Sequence, residues 1–264
     1  METLKIYKVD AFAEQLFSGN PAAIVMLDEW LSDDVMQKIG AENNLSETAF
    51  ILKNHTLYEI RWFTPTVEID LCGHATLAAA YVLMNFYEKD TDVIHFHSHI
   101  SGQLKVTREN ELYHLDFPVD KVHETNLPEN LMKGVRKIPV ETYRGKSDYM
   151  LVYRSQKEIE LIKPDFDTIS RVDARGIIVT AQGEEQDFVT RFFAPQSGIA
   201  EDSVTGSAHT SLIPYWSAKL GKKKLTARQL SKRGGIIHCE DCGDRVKIGG
   251  HAQLYLVGEI RYRK

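Results

Sequence analysis

The segment Gly73–Tyr81, which reads Gly-His-Ala-Thr-Leu-Ala-Ala-Ala-Tyr, decides how the rest of the chain is interpreted. A glycine followed by a run of small and apolar residues predicts a loop that turns into a buried helix, which we extend to Phe86. The first N–H groups of a helix have no partner within it, and the helix dipole favours an anion in front of them. The sequence therefore predicts an anion-binding helix N-terminus at Gly73 and His74.

The motifs around this helix occur twice. Arg61–Pro65 (RWFTP) resembles Arg191–Pro195 (RFFAP), and Cys72–Thr76 (CGHAT) resembles Thr205–His209 (TGSAH). Two copies indicate a duplicated domain and not a solenoid, which needs three or more short repeats. If the halves pack about a pseudo-twofold axis, the N-terminus of a second helix, predicted over Gly206–Leu220, faces the same cleft as the first. That cleft would suit a small carboxylate.

Alternating or apolar segments bounded by turn residues predict strands over most of the remaining chain. They are Leu4–Phe12, Ala22–Met26, Ala49–Leu52, Leu57–Phe63, Val93–Thr107 with a turn at Gly102, Leu112–Phe117, Tyr149–Tyr153, Gly176–Ala181, Asp187–Phe193, Gly235–His238, Arg245–Ile248 and Ala252–Val257. Shorter helices are predicted from Ser32 to about Asn43 and from Asp165 to Ser170. This pattern indicates an α+β chain of two similar halves. We place the first half at residues 1–118, completed by the last strand at about 252–264, and the second at 119–251.

Composition excludes several classes of protein. The chain has 264 residues, of which 43% are hydrophobic and 26% charged, as in an ordinary globular protein. Its net charge of −5 argues against a nucleic-acid-binding protein. No stretch approaches the apolar length of a membrane span, and the N-terminus lacks the apolar core of a signal peptide. The three cysteines form no disulfide framework, which indicates the reducing cytoplasm. Together these observations predict a cytoplasmic protein without a nucleic-acid or membrane partner.

Three residues are candidates for acid–base chemistry. Glu47 lies at the entry to an apolar strand, and a partly buried carboxyl group there would suit proton transfer; the alternative is a solvated carboxylate. Asp202 precedes the second helix; the alternative role for a carboxylate at this position is to cap the helix. His74 at the start of the first helix is either an acid or base or a buried histidine that supports its neighbours.

Cys72 suggests thiol chemistry, but the evidence for it in the sequence is weaker. Cys72 precedes a helix N-terminus, where a thiol pKa falls, but the second copy has Thr205 at this position. A two-thiol racemase is therefore excluded, and a small buried residue is the preferred interpretation of Cys72.

Two arrangements resemble metal sites without predicting one. His95, His97 and His99 alternate along a strand, and the apolar residues between them place the histidine face in solvent. Cys239 and Cys242 form a single CxxC across a hairpin turn, which is a weak zinc signal without a second pair. Nucleotide-binding and nucleophile-elbow motifs do not occur. We therefore predict neither a metal nor a cofactor.

Six collinear motifs resemble the phenazine biosynthesis PhzF-like family over nearly the whole chain. They are Val9–Phe12, Gly19–Pro21, Ser46–Phe50, Phe63–Pro65, Gly73–Thr76 and Glu201–Ala208. The resemblance implies the diaminopimelate-epimerase-like fold, in which each of two pseudo-symmetric halves wraps a mostly antiparallel, barrel-like sheet around a central helix. It also implies a homodimer.

The same resemblance implies a function. A characterised member isomerises trans-2,3-dihydro-3-hydroxyanthranilate without a cofactor, and its acid–base glutamate lies in the motif that Glu47 occupies here. A neighbouring histidine and aspartate correspond to His74 and Asp202. The related thiol epimerases use two cysteines, which Thr205 excludes here. The physiological substrate does not carry over, because most members have no link to a phenazine pathway.

The resulting hypothesis is a cofactor-independent isomerase in the cleft between the halves. A substrate carboxylate binds to Asn20 and to the backbone N–H groups around Gly73–His74 and Gly206–Ser207. Glu47 takes a proton from carbon and returns it to another carbon or to the opposite face, while Asp202 and His74 stabilise the charge. Two alternatives stay open: a racemase or epimerase of an amino-acid-like substrate, and a non-catalytic protein that binds small acids.

Overall fold

The computed structural model describes residues 1–262 of the chain, and most of its regular structure is β-strand. The chain forms two compact units. The first unit comprises Met1–Asp116 together with the C-terminal residues from Gly249, and the second comprises Phe117–Ile248. None of the helices within residues 1–262 combines the length and the apolar character that crossing a bilayer requires.

Most strands lie in segments that the sequence predicted, but residues 68–69, 123–124, 141–144, 199–201 and 224–229 form strands that were not predicted. In chain order the strands are β1 (Glu2–Ala11), β2 (Asn20–Leu27), β3 (Glu47–Asn54), β4 (Leu57–Phe63), β5 (Glu68–Ile69), β6 (Val93–Ser98), β7 (Gly102–Glu109), β8 (Leu112–Pro118), β9 (His123–Glu124), β10 (Glu141–Arg144), β11 (Asp148–Val152), β12 (Gly176–Gln182), β13 (Phe188–Ala194), β14 (Ile199–Glu201), β15 (Lys224–Gln229), β16 (Gly235–Asp241), β17 (Arg245–Gly250) and β18 (Ala252–Tyr262). The α-helices are α1 (Asp33–Asn43), α2 (Gly73–Val82), α3 (Glu129–Val135), α4 (Gln156–Glu160), α5 (Phe166–Ile169) and α6 (His209–Leu220).

The same order of strand pairings occurs in each unit, and the sheets are mixed. In the first unit β1–β2 is antiparallel, β2–β3 parallel and β3–β4 antiparallel, and β4 also pairs with β5 and, in parallel, with β6. In the second unit β10–β11, β11–β12 and β12–β13 repeat that order, and β13 pairs with β14 and, in parallel, with β15. These pairings support the duplication read from the motifs, and the mixed sheet with few helices is the predicted α+β class.

Helix α2 is buried on all sides. Every residue from His74 to Val82 except Tyr81 is buried, as expected of a helix without a polar face. It packs on β1, β2 and β3 of the first unit. The predicted helix continues past Val82 as a wider π-helical turn over Leu83–Tyr87, in which the N–H of Glu88 donates to the carbonyl oxygen of Leu83 at 2.7 Å.

Helix α6 begins three residues later than predicted. Gly206, Ser207 and Ala208 form a tighter turn, in which the N–H of His209 donates to the oxygen of Gly206 at 3.0 Å and the N–H of Thr210 to that of Ser207 at 3.2 Å. The prediction that the α-helix starts at Gly206 was therefore wrong. The reason is a change from i→i+4 to i→i+3 hydrogen bonds at the helix start, which sequence patterns do not resolve.

Two short helices were not predicted. Helices α3 and α4 have seven and five residues, too few for a helical period to show in the sequence. Buried Leu131 and Val135 of α3 and Ile159 of α4 belong to the hydrophobic core of the second unit, together with Leu151 and Phe193. Tertiary packing therefore stabilises helices that the local sequence hardly specifies.

Candidate functional site

Glu47 and His74 form a buried pair at the start of two elements. Glu47 is the first residue of β3 and lies opposite Ala22 of β2, while His74 is the second residue of α2. The distance from His74 Nε2 to Glu47 Oε2 is 3.1 Å, and the side chains are only 7% and 9% exposed. The contact lies outside hydrogen-bond geometry, so neither atom has a hydrogen-bond partner among the described residues. Both atoms are therefore available to form hydrogen bonds with a ligand.

Asn20 orients the imidazole ring from its other side. Its Nδ2 lies 3.3 Å from His74 Nδ1, and its Oδ1 accepts a hydrogen bond from Ser46 Oγ at 3.4 Å. Because the amide N–H donates, Nδ1 of a neutral ring must be the acceptor, which leaves the proton on Nε2. In an imidazolium both nitrogens carry protons, and Nδ1 then donates to Cys72 Sγ at 3.4 Å and no longer accepts from Asn20. In either state His74 therefore presents an N–H to Glu47.

The charges around His74 favour its protonated form. Burial by itself lowers the pKa of His74, but the interactions with Cys72, and next with Glu47, outweigh burial and leave the pKa well above its usual value. His74 is therefore suited to stabilising negative charge that develops nearby.

Cys72 is a buried thiol with low reactivity. Its side chain is in contact with His74, Sγ to Nδ1 at 3.4 Å, and the residue is 5% exposed. Burial, and next the charge of Glu47, raises the pKa of Cys72 to about 11. The expectation of a lowered thiol pKa at this helix N-terminus was wrong, because desolvation exceeds the effect of the helix dipole. The preferred interpretation, a small buried residue, is confirmed.

The three cysteines are expected to differ sharply in reactivity. Cys242 is exposed, whereas Cys72 and Cys239 are buried and burial raises the pKa of both thiols. In a native sample near neutral pH, one thiol per chain should react quickly with a disulfide reagent, and the other two only after unfolding. The Cys242→Ser variant should lose the fast phase. Two fast thiols in the native wild type would contradict this assignment.

Asp202 lies in a hydrogen-bonded loop of the second unit. Thr205 Oγ1 donates to Asp202 Oδ2 at 2.6 Å, and Gln229 Nε2 donates to the backbone oxygen of Asp202 at 2.9 Å. Gln229 Oε1 also accepts from the N–H of Thr205 at 2.8 Å, and Gln229 is 0% exposed. Sequence reasoning missed Gln229. One signal could have identified it: it is a polar residue on the face of β15 where Leu225 and Ala227 are buried.

Gly206 and Ser207 lie in the turn that precedes α6, beside an arginine that the sequence did not single out. Arg175 Nη1 donates to Ser207 Oγ at 2.9 Å. Buried Asp148 holds the guanidinium through two hydrogen bonds, one of them from Nε to Oδ1 at 2.9 Å. Asp148 and Ser207 are far from each other in sequence, so no local motif marks this contact.

His209 is a buried neutral histidine at the first position of α6. Its Nδ1 lies 2.9 Å from the backbone oxygen of Thr205, the residue is 0% exposed, and its Nε2 has no hydrogen-bond partner among the described residues. Burial lowers the pKa of His209 to about 4. The ring is therefore neutral near neutral pH and donates from Nδ1.

This histidine should make the protein less stable in acid. An unfolded chain protonates histidine near pH 6.5, whereas folded His209 does so only near pH 4, so protons bind preferentially to the unfolded state between these values. The contribution is fully present above pH 6.5 and reaches a loss of about 3 kcal/mol near pH 4. Urea unfolding of wild type and His209→Asn across this range checks the prediction. Parallel pH profiles of the two proteins would contradict it.

The structure agrees in part with the predictions for the histidines of β6 and for the pair Cys239 and Cys242. His95 and His97 are exposed, and Ile94 and Phe96 are 3% and 0% exposed, so the histidine face of β6 points to solvent as predicted. His99 lies in the turn after β6, so its predicted place on the strand was wrong. Cys239 lies in β16 and Cys242 in the turn that follows it, where the N–H of Cys242 donates to the oxygen of Arg245 at 2.9 Å. The predicted hairpin turn is thus present.

The structure groups the candidate site residues by unit. Asn20, Glu47, Gly73 and His74 lie in the first unit, where Asn20 and Glu47 both contact His74. Asp202, Gly206 and Ser207 lie within a short segment of the second unit. Their catalytic and binding roles stay predictions.

Comparison with known proteins identifies the family. The family model described as phenazine biosynthesis-like protein (PhzC-PhzF) matches residues 9–258. An uncharacterized isomerase of Pseudomonas aeruginosa is 47% identical over 258 residues, which cover 98% of each chain. A crystal structure of a PhzF-family phenazine biosynthesis protein from Enterococcus faecalis has a TM-score of 0.95 at 46% identity, over 99% of this chain and 100% of that one.

A more distant neighbour shares the fold alone. The structure of a predicted epimerase from Pseudomonas aeruginosa has a TM-score of 0.72 at 16% identity, and the match covers 98% of this chain and 100% of that one. Together with the Enterococcus structure it confirms the diaminopimelate-epimerase-like fold class inferred from the motifs. The protein is an isomerase, and the chain belongs to the phenazine biosynthesis-like PhzC-PhzF family.

Proposed function

We propose that this isomerase moves a proton on a small carboxylate-bearing substrate without a cofactor, with Glu47 as both acid and base. The observation that carries the proposal is the pair Glu47 Oε2 and His74 Nε2, which lie 3.1 Å apart, are buried, and lack hydrogen-bond partners among the described residues. A buried polar atom without a partner costs about 1–3 kcal/mol, and more when it is charged. A site that retains two such atoms is suited to a ligand that completes their contacts.

The chemistry needs no external electron or proton. Glu47 removes a proton from a carbon of the substrate. The electron pair shifts into the adjacent double bond of the substrate, and Glu47 returns the same proton to another carbon. The N–H of His74 Nε2 stabilises the charge that develops in between, since its pKa is raised and it faces the carboxylate. No side chain caps α2, so the backbone N–H groups of Gly73 and His74 can bind the substrate carboxylate.

The geometry favours this isomerase over an epimerase that uses two bases. Epimerisation by two bases needs a second acid on the opposite face of the substrate carbon. In the first unit Cys72 is a candidate, but the residue is 5% exposed and its sulfur contacts Nδ1 of His74, the ring nitrogen away from Glu47. A single carboxylate that removes and returns one proton fits these contacts better.

Proton NMR in D₂O with wild-type protein tests the proposal. The substrates are cyclic and open-chain carboxylates that carry a double bond next to a C–H group, together with amino-acid-like carboxylates. We expect loss of one C–H signal and growth of product signals in which a double bond has moved. Deuterium entering at one stereocentre without migration would identify an epimerase instead. Binding without any exchange across the whole set would support the small-acid-binding alternative.

Cofactor independence has its own control. The protein is dialysed against a chelator and passed through a desalting column, and its turnover rate is compared with that of an untreated sample. We expect equal rates. A rate that falls on dialysis and recovers on addition of a metal or of the low-molecular-weight fraction would overturn this part of the proposal.

A further inference from the structure

The pair at the candidate site belongs to a larger cluster. Glu47, Cys72 and His74 each place one potential metal ligand atom within 4.8 Å of the ligand atoms of the other two, and all three residues are buried. A carboxylate oxygen, a thiol sulfur and an imidazole nitrogen are the donor types that zinc uses in proteins. Three protein ligands with a fourth position open is the arrangement of zinc sites that exchange ligands.

The ligand atoms lie within 4.8 Å of one another, a spacing somewhat wider than that of a tetrahedral site. Zinc bonds of about 2.3 Å to sulfur and about 2.0–2.2 Å to nitrogen and oxygen place neighbouring ligand atoms about 3.3–3.6 Å apart. The Glu47 Oε2–His74 Nε2 distance is 3.1 Å and the Cys72 Sγ–His74 Nδ1 distance is 3.4 Å. Since these contacts involve different ring nitrogens and only one can bind the ion, either Cys72 or Glu47 must shift by about 1 Å.

The site would lose little when it binds an ion. Glu47 Oε2 and His74 Nε2 have no hydrogen bond to break among the described residues. The bound ion displaces one proton from the Cys72 thiol and one from the protonated His74 ring, and both protons leave to solvent. The two negative charges of the thiolate and the Glu47 carboxylate then balance the charge of Zn²⁺. An all-oxygen cation such as Mg²⁺ lacks this match, because sulfur and nitrogen are poor ligands for it.

We propose that Glu47, Cys72 and His74 form a zinc-binding site, and that zinc bound there inhibits the isomerase. The binding follows from the donor set alone. The inhibition rests on the proposed function, because zinc would occupy the carboxylate that moves the proton. Zinc in this role is an inhibitor that competes with substrate and not a cofactor.

Zinc binding is measured first, without substrate. The metal-free full-length protein is titrated with Zn²⁺ against a chromophoric chelator, in a background where His238 and His251 are changed to Gln to remove the second group of potential ligands, Glu14, His238 and His251. We expect one zinc per chain, and an affinity lower by at least about 10-fold in Cys72→Ser. The matched control, Cys242→Ser, should bind as the background protein does. Circular dichroism of each variant confirms folding, and Cys72→Ala replaces Cys72→Ser if the latter does not fold.

Cobalt substitution reports the ligands directly. Co²⁺ in this site should show a sulfur-to-metal charge-transfer absorption that is absent from Cys72→Ser and present in Cys242→Ser. Equal zinc affinity in the background protein and Cys72→Ser, or cobalt binding without the charge-transfer band, would overturn the site. Stoichiometric zinc binding that leaves turnover unchanged would overturn the inhibition. The binding measurements need no turnover, so their outcome does not depend on whether Glu47 is the acid–base.

Discussion

Glu47→Gln is expected to lower kcat by about 10²–10⁴-fold, the range that a positioned general acid–base contributes. Glutamine keeps the size of the side chain but cannot accept or return a proton. Glu47 is 7% exposed, and the group that it meets is the His74 imidazole and not a second carboxylate. The rate is measured as deuterium incorporation into substrate by NMR, with the concentration of substrate well above KM.

Two further variants make the result interpretable. Glu185→Gln makes the same chemical change on an exposed surface residue and should leave kcat within about 2-fold of wild type. Glu47→Asp keeps a carboxylate but withdraws it by one methylene group, and should fall between wild type and Glu47→Gln. Thermal unfolding must show that all three variants are folded. Turnover by a folded Glu47→Gln at the wild-type rate would exclude Glu47 as the acid–base and point to His74 or Asp202.

Arg191→Leu is expected to lower the free energy of unfolding by about 1–3 kcal/mol, the cost of leaving the hydrogen-bonding partners of a partly buried arginine unsatisfied. Arg191 donates to Glu201 from Nε at 2.7 Å and from Nη2 at 3.0 Å. Its Nη1 donates to the backbone oxygens of Ile159 at 3.0 Å and Ile162 at 2.9 Å. The Arg191 and Glu201 side chains are 11% and 22% exposed, so water cannot fully replace these bonds.

Urea unfolding measures the loss, and two comparisons give its cause. The double variant Arg191→Leu/Glu201→Leu should be less destabilised than Arg191→Leu alone, because it leaves no unpaired buried carboxylate. Arg154→Leu, at an exposed position of the second unit, should change the free energy of unfolding by no more than about 0.5 kcal/mol. A loss of less than about 1 kcal/mol in Arg191→Leu would show that this pair contributes no more than a surface ion pair.

The first copy of the repeated motif carries the same contact. Arg61 donates to Glu68 from Nε at 2.7 Å and from Nη2 at 2.6 Å. The arginine that opens each motif thus pairs, in both copies, with a glutamate on the short strand that follows, β5 or β14. The motif repeat is visible in the sequence. The partner glutamates are not, because they lie 7 and 10 residues further along in the two copies.

Part of the candidate site could be found from the sequence, and the reason differs for each residue. His74 and Gly73 stand out because a helix of small apolar residues begins there. Glu47 stands out through its motif at the entry to an apolar strand. The contact between Asn20 and His74 spans 54 residues, so only the pairing of strands around α2 creates it. No local pattern encodes such a contact.

Burial accounts for the errors about charge and reactivity. The position of Cys72 before a helix predicts a lowered pKa, but the surrounding core raises it to about 11. Likewise, His209 shows no unusual feature in the sequence, yet complete burial lowers its pKa to about 4. Desolvation depends on everything packed around a side chain, and that packing comes from distant parts of the chain.

By itself the sequence determined the α+β class, most strands, the buried helix α2 and the duplication of motifs. These features depend on residue spacing and on apolar periodicity, which are local properties. Only the tertiary structure decided that Glu47 Oε2 meets His74 Nε2 without a hydrogen bond, that Gln229 supports the loop of Asp202, and that Cys72 completes a three-residue cluster. Distances between side chains, and the exclusion of water around them, arise only when remote segments pack together.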